Sequence, residues 1–298
     1  MLQIIQKRKY AYWFSGIVTI ASVVLIVLWG FNFGIDFKGG TLSEVRFALD
    51  PAPQVSDIGA KLSALDLKSL TIQPTGDRGV LLRYLASDET ANEQVLAALQ
   101  SLDPNIVQLR TDFIGSSVSS QIKKNAISGI ALSIIGIALY IAWAFRRVSG
   151  VVTSWEYGLG AVIALSHDIV IVLGLFVLLG RYYGVEIGVP FIAALLTILG
   201  YSVNDTIVVY DRVRENLMRS HRKEDFEITV NRSLNETLGR SINTSLTVLI
   251  TLLAIIIFGG ESIRYFGVAL FAGVAFGTYS SIYIASALLV TRYKMKTK

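Results

Sequence analysis

Cysteine is absent and histidine occurs only twice, at His167 and His221. The first absence excludes disulfide frameworks and thiol nucleophiles. Together the two exclude Cys or multi-His metal sites, so no metal and no other cofactor is expected. Charge is scarce as well. Asp, Glu, Lys and Arg make up 16% of the 298 residues against 53% hydrophobic ones, with a mean hydropathy of +0.56. A soluble domain carries roughly 25% charged residues, so the solvent this chain expects is a bilayer, and membrane lipid is its first partner. The net charge of +5 raises the question of nucleic acid. The basic residues, however, sit at the ends of apolar runs, which is a signal of topology, and no nucleic acid is expected.

Six apolar runs are long enough, at roughly 20 residues each, to cross a hydrocarbon core as helices. They cover residues 10–30, 126–145, 156–179, 188–210, 240–258 and 264–290. The first follows Lys7, Arg8 and Lys9 in the manner of a signal peptide, but no small-x-small cleavage site precedes Asn32, and it reads as a retained anchor. Its basic flank sets the N terminus in the cytoplasm. Alternation then places Arg146 and Arg147, the connection 211–239 with Arg212, Arg214, Arg219, Arg222, Lys223 and Arg232, and the tail with Arg292, Lys294, Lys296 and Lys298 on the same side. The opposite short loops hold only Arg181 and Arg264. The positive-inside rule thus predicts a multi-pass protein of the cytoplasmic membrane with both termini cytoplasmic.

Residues 1–30 are then the N terminus and first span, residues 31–122 an external domain, and residues 123–298 a five-helix bundle. The external segment has ordinary globular composition. FNFGIDFKGGTLSEVRF alternates as a strand, and QVSDIGAKLSAL carries Val55, Ile58, Leu62 and Leu65 on one helical face. SLTIQ and GVLLRYL flank the turn PTGDR, DETANEQVLAALQSL is a second amphipathic helix, and NIVQLRTDFI a last strand. The order is βαββαβ, the split ferredoxin-like unit. The fold class predicted is therefore a six-helix transmembrane bundle with an external α+β domain.

GIDFKGGT, Gly34 to Thr41, has the spacing of a phosphate-binding loop, but Gly40 stands where the lysine belongs and Lys38 comes two places early. Glycines that allow a tight bend between a membrane helix and a strand explain it better.

Polar groups inside the spans are few. An ionised carboxylate in a membrane helix costs on the order of 3 kcal/mol, so it belongs against protein or water and beside a partner. Asp205 lies five residues before Tyr210, roughly 7 Å inside the cytoplasmic end of span four. Arg240 starts span five at a matching depth. An Asp205–Arg240 pair is expected, with Asn204, Thr206, Asn243 and Thr244 available for the remaining hydrogen bonds. Span three holds His167 and Asp168 near its midpoint. Adjacent helical residues diverge by about 100°, so these two address different neighbours, one of them on another subunit. Each polar group fits two roles, a fixed staple between helices or a member of a proton relay.

Ala269, Gly273, Gly277, Ser281 and Ala285 recur every four positions in span six and make a groove for close helix contact, with another chain or within this one. In the connection before span five, Phe226, Val230 and Leu234 form a stripe suited to a helix lying on the membrane surface or to a solvated linker helix.

GIDFKGGT, ALSHDIVI in span three, GYSVNDTIVVYDRVREN in span four and LGRSINTS entering span five together resemble the SecF members of the SecD/SecF protein-export family, which is related to the resistance-nodulation-division transporters. The resemblance runs end to end. It implies a subunit that works with SecD beside the SecYEG translocon, with YajC as a further partner, and that uses the proton-motive force to draw preproteins outward late in export. It also implies that Asp205 and Arg240 occupy the family's proton-path positions, and that the chain is not an enzyme. This agrees with the residues, since a buried carboxylate changes charge as an arginine approaches or leaves. Three other classes share features with the chain: half of a resistance-nodulation-division efflux pump, a passive assembly scaffold, and an intramembrane aspartyl protease, for which Asp168 and Asp205 are two aspartates on successive helices but SVND replaces the GxGD signature.

Overall fold

A computed structural model of the chain describes residues 1–86, 89–146, 152–219 and 224–296. His221 and, from the topology argument, Arg147, Arg222, Lys223 and Lys298 lie outside the described residues. Two compact units divide the chain, Phe33–Ala126 and a second formed by Met1–Asn32 with Ile127–Lys298.

In the first unit a single helical turn, α2 (Ile35–Lys38), leads into β1 (Gly40–Arg46); the long helix α1 (Arg8–Trp29) precedes it in the other unit. Then come α3 (Val55–Leu62), β2 (Lys68–Thr75), β3 (Gly79–Leu85), α4 (Glu89–Gln100) and β4 (Val107–Ile114). The sheet order is β2-β3-β1-β4 with every neighbouring pair antiparallel. The expected βαββαβ unit is present. Ile58, Leu62, Val95 and Leu99 from the two helices cover Val45, Val80, Leu82 and Tyr84 of the sheet, while Val55 at the start of α3 stays exposed. Pro74 is tolerated because β2 is an edge strand.

The first strand is shorter than its alternation suggests. Residues 35–38 coil instead, because Gly39 and Gly40 adopt φ of +77° and +115° and interrupt the extended chain. A Cβ on Gly40 would stand 2.5 Å from the Tyr84 carbonyl oxygen, so only glycine fits between β1 and β3. The paired glycines thus serve a bend.

Asp103, 1% exposed, ties the end of α4 to the chain after β1. Its Oδ2 accepts from Ala48 N at 2.6 Å and Leu49 N at 3.1 Å, and its Oδ1 from Asn105 N at 3.0 Å. Burial pushes the pKa of this carboxyl up, but the three backbone donors outweigh it and hold it below the usual carboxylate value.

The second unit contains α1 with α5 (Ser116–Ala144, which begins in the first unit), α6 (Ser154–Tyr183), α7 (Val189–Arg219), α8 (Phe226–Phe258), α9 (Glu261–Ser280), a π-helical segment Ser281–Ala285, and α10 (Ser286–Lys296). With α9, the π segment and α10 read as one, six helices are long and apolar enough to cross a membrane, and the chain is a multi-pass membrane protein. The third, fourth and sixth are about half buried or more in their apolar windows, whereas α1, α5 and α8 bury 11, 6 and 17% of theirs. The first group forms the core of the bundle and the second its rim.

Local chemistry fixes the helix ends. A capping box of Thr153 and Glu156 starts α6, and Gly184 at φ +68° stops it. The Asp225 carboxylate accepts from Glu227 N and Ile228 N to start α8. Several helices outrun their apolar cores, so most of the connection 211–239 is a helical hairpin. Asn216 Nδ2 donates to Ser233 Oγ at 2.9 Å, and Arg212 pairs with Glu236 at 2.6 Å. Phe226, Val230 and Leu234 are 3, 0 and 1% exposed. The surface-lying helix expected there is corrected, since that stripe packs inside the protein, with Phe226 against Tyr293. Asn231 and Asn235 of α8 bond the backbone of Leu2, and Glu227 meets Arg8 and Lys294. Leu2 and Lys294 therefore both lie at the α7–α8 end of the bundle.

Candidate functional site

Two carboxylates lie inside the helix bundle, in different surroundings. Asp168, 0% exposed, sits on the face of α6 where α7 and α9 meet. Its Oδ2 accepts from Ser202 Oγ of α7 at 2.7 Å and from Ser280 Oγ of α9 at 2.8 Å, and its Oδ1 lies 2.9 Å from His167 Nδ1. The partners of Asp168 among the described residues are His167 on its own helix, Ser202 on α7 and Ser280 on α9. The two neighbours do part company beyond their shared bond. Asp168 serves α7 and α9, while the His167 ring stacks on Tyr279 with its Nε2 buried and unbonded.

The π segment explains how one helix supplies two consecutive hydroxyls. Ser280 reaches Asp168, and Ser281 bonds Thr206 Oγ1 at 2.7 Å and the Ser202 carbonyl at 3.2 Å. In a regular α-helix successive side chains diverge by about 100°, and the inserted residue is the kind of irregularity found at working sites.

Asp205, 7% exposed, lies one turn further along α7, toward the α7–α8 connection. Its Oδ1 accepts from Ser241 Oγ of α8 at 2.5 Å, and its Oδ2 is buried with no hydrogen-bond partner among the described residues. Arg240 is exposed, and its side chain forms no hydrogen bond or ion pair among the described residues, while its carbonyl accepts from Thr244 Oγ1. It borders a cavity of about 230 Å³ with Ala144, Phe145, Ile207, Val208, Asp211 and Arg214. The structure thus brings α7 and α8 together at Asp205, but hydrogen-bonds Ser241 rather than Arg240 to the carboxylate. Asn204, Asn243 and Thr244 are exposed, and Thr206 faces Ser281, so none of the four supports Asp205 directly. Among the described residues Asp168 and Asp205 share no hydrogen-bond partner.

The small residues of span six contact α7 of the same chain. A Cβ on Gly273 would run into the Ile198 side chain, and the Ala285 carbonyl accepts from Tyr210 Oη at 3.2 Å. The groove is internal.

Sequence reading missed Ser202, Ser241 and Ser280, and took Ser281 only as a small packing residue. All four are 1% exposed or less. A signal existed in α8, where Ser233, Thr237, Ser241 and Ser245 recur every four residues and are all buried. Such a column of small hydroxyls allows close approach and polar bonding at once.

Comparison with known proteins adds the family. Residues 94–295 match the model of the protein export membrane protein SecD/SecF C-terminal region, and residues 26–48 that of the SecD/SecF GG motif. The protein translocase subunit SecF of Thermobaculum terrenum is 41% identical over 98% of this chain and 94% of its own length. That of Haemophilus influenzae is 35% identical over 97% and 85%. The crystal structure of SecDF, a translocon-associated membrane protein from Thermus thermophilus, superposes with a TM-score of 0.84 at 33% identity, covering 99% of this chain and 38% of that one. SecDF in a super-membrane-facing form gives 0.70 at the same identity. The chain belongs to the SecD/SecF protein-export membrane protein family, among its SecF subunits.

Proposed function

We propose that the chain works as the SecF half of a SecD–SecF complex in the cytoplasmic (inner) membrane, beside the SecYEG translocon and with YajC as a further neighbour. It couples the proton-motive force to late steps of preprotein export. Its termini and the α7–α8 hairpin face the cytoplasm, where positive charge accumulates. The α+β domain, residues 31–122 by the sequence boundaries, stands outside and engages the preprotein.

The observation that carries this reading is the unpartnered Oδ2 of Asp205. A bare carboxylate oxygen within a spanning helix is expensive, and it marks a place where a proton binds and leaves. One proton crossing the membrane releases roughly 2.3 kcal/mol per 100 mV. In one state of the cycle the proton neutralises Asp205, and in another Arg240 does. Asp168 and His167 belong to the same polar core, and the full set of partners around Asp168 suits a brace that keeps α6, α7 and α9 in register while Asp205 titrates.

A second feature supports the SecD partner. Asn204, Arg240 and Asn243 are exposed on α7 and α8, and lipid satisfies none of them. Exposed polar groups of this kind are suited to a polar helix surface of SecD. The test is export into inverted vesicles with and without a proton gradient. Asp205→Asn keeps the shape and removes the titration, so it abolishes the gradient-dependent part while the protein stays inserted. Export by Asp205→Asn at the wild-type rate overturns the proton-path role.

A further inference from the structure

Serines and threonines inside helices usually return their hydroxyl hydrogen to a carbonyl three or four residues back. In α8, Ser233, Thr237, Thr244, Thr247 and Thr251 all do this. Ser241 does not. It is 1% exposed, and its single hydroxyl hydrogen goes to Asp205 Oδ1 at 2.5 Å.

We propose that Ser241 is the positioning residue of Asp205, fixing one carboxylate oxygen so that the other is the only point at which a proton and Arg240 compete. The proposal rests on the reading of Asp205 as the titrating group. A free carboxylate rotates and offers either oxygen. With Oδ1 held by Ser241, only Oδ2 remains open, and it is buried and unbonded. One proton binds Oδ2 and the same proton later leaves, with no other bond changed. The charged groups around the site are Arg240 on α8 and, at the neighbouring cavity, Asp211 and Arg214, which pair with each other at 3.2 Å. Arg240 is the cation left to compete. Ser241 immediately follows it in sequence, so the hydroxyl that holds Oδ1 and the guanidinium that competes for Oδ2 are carried by the same helix.

The test compares Ser241→Ala and Ser241→Thr with Asp205→Asn in the full complex with SecD. Infrared difference spectra between acid and neutral pH are recorded alongside gradient-driven export in inverted vesicles. The carboxyl band that Asp205→Asn removes is the reporter. Ser241→Ala is expected to move that band and to lower gradient-driven export by roughly tenfold. Ser241→Thr, which keeps a hydroxyl, is expected to restore both. If Ser241→Ala does not accumulate, Ser241→Cys keeps the size with a much weaker donor and is expected to move the band likewise. A band and a rate unchanged in Ser241→Ala, with Asp205→Asn inactive, overturn the role of Ser241 alone. Failure of Ser241→Thr equal to that of Ser241→Ala overturns it too, because it shows a demand for size. An active Asp205→Asn overturns the underlying reading before any Ser241 variant is compared.

Discussion

Gly277 of α9 and Ser202 of α7 are in such close contact that a Cβ on the glycine would stand 2.9 Å from the serine Cβ. The same serine donates to Asp168 of α6, so a close approach of α7 to α9 and a polar bond from α7 to α6 share one residue. Gly277→Leu is therefore expected to lower the melting temperature of the isolated chain in detergent. Overpacking of this kind costs about 1–3 kcal/mol. Recovery of SecD at low temperature is expected to be unchanged, and loss of SecD binding by an otherwise stable Gly277→Leu chain would place the groove at the subunit interface.

The complementary experiment addresses α8. Asn243 is exposed on the same stretch of helix as Arg240, within a span that buries only 17% of its apolar window. Asn243→Trp is expected to reduce co-purification of SecD at least fivefold with no change in the melting of the isolated chain. Equal recovery would direct the search to another face.

Asp168 offers a test of brace against relay. Replacement by Leu leaves the buried Ser202 hydroxyl without its acceptor, at about 1–3 kcal/mol, while Ser280 keeps the Gly277 carbonyl. Asp168→Leu is expected to melt markedly lower than wild type, and Asp168→Asn, which keeps an acceptor oxygen, to melt close to it. Gradient-dependent export by Asp168→Asn at near the wild-type rate is the outcome for a brace, and its complete loss is the outcome for an obligatory proton carrier.

Much of this arrangement was legible in the sequence because long apolar runs and period-two alternation are strong local signals. The βαββαβ order and the meeting of spans four and five both follow from such patterns. What stayed hidden depends on contacts between distant segments. Ser241 and Ser202 look like ordinary helical serines until their neighbours are known. Phe226, Val230 and Leu234 carry the period of an amphipathic helix, and period alone does not distinguish a membrane surface from the flank of another helix. The alternation of Phe31, Phe33, Ile35 and Phe37 reads as a strand, and the positive φ of the two glycines after it decides otherwise.

Asp103 gives the α+β domain a defined response to acid. Its pKa is held below the unfolded value of about 3.9. The stabilisation is thus complete above that value and disappears as pH falls through the folded pKa. The excised domain, residues 31–122, is expected to fold alone as judged by circular dichroism and to lose resistance to urea as pH drops below about 4. Asp103→Asn is expected to be weaker at neutral pH and to lose less on acidification. Identical pH profiles for the two proteins would remove Asp103 from the acid response.

Proton movement itself is the most direct test. The complex with SecD is reconstituted into liposomes containing a pH-sensitive dye, an electrical potential is imposed, and acidification of the lumen is followed for wild type, Asp205→Asn and Arg240→Met. Wild type is expected to pass protons at a rate that Asp205→Asn and Arg240→Met both reduce to that of empty liposomes. Proton entry through Asp205→Asn at the wild-type rate would contradict a path through Asp205.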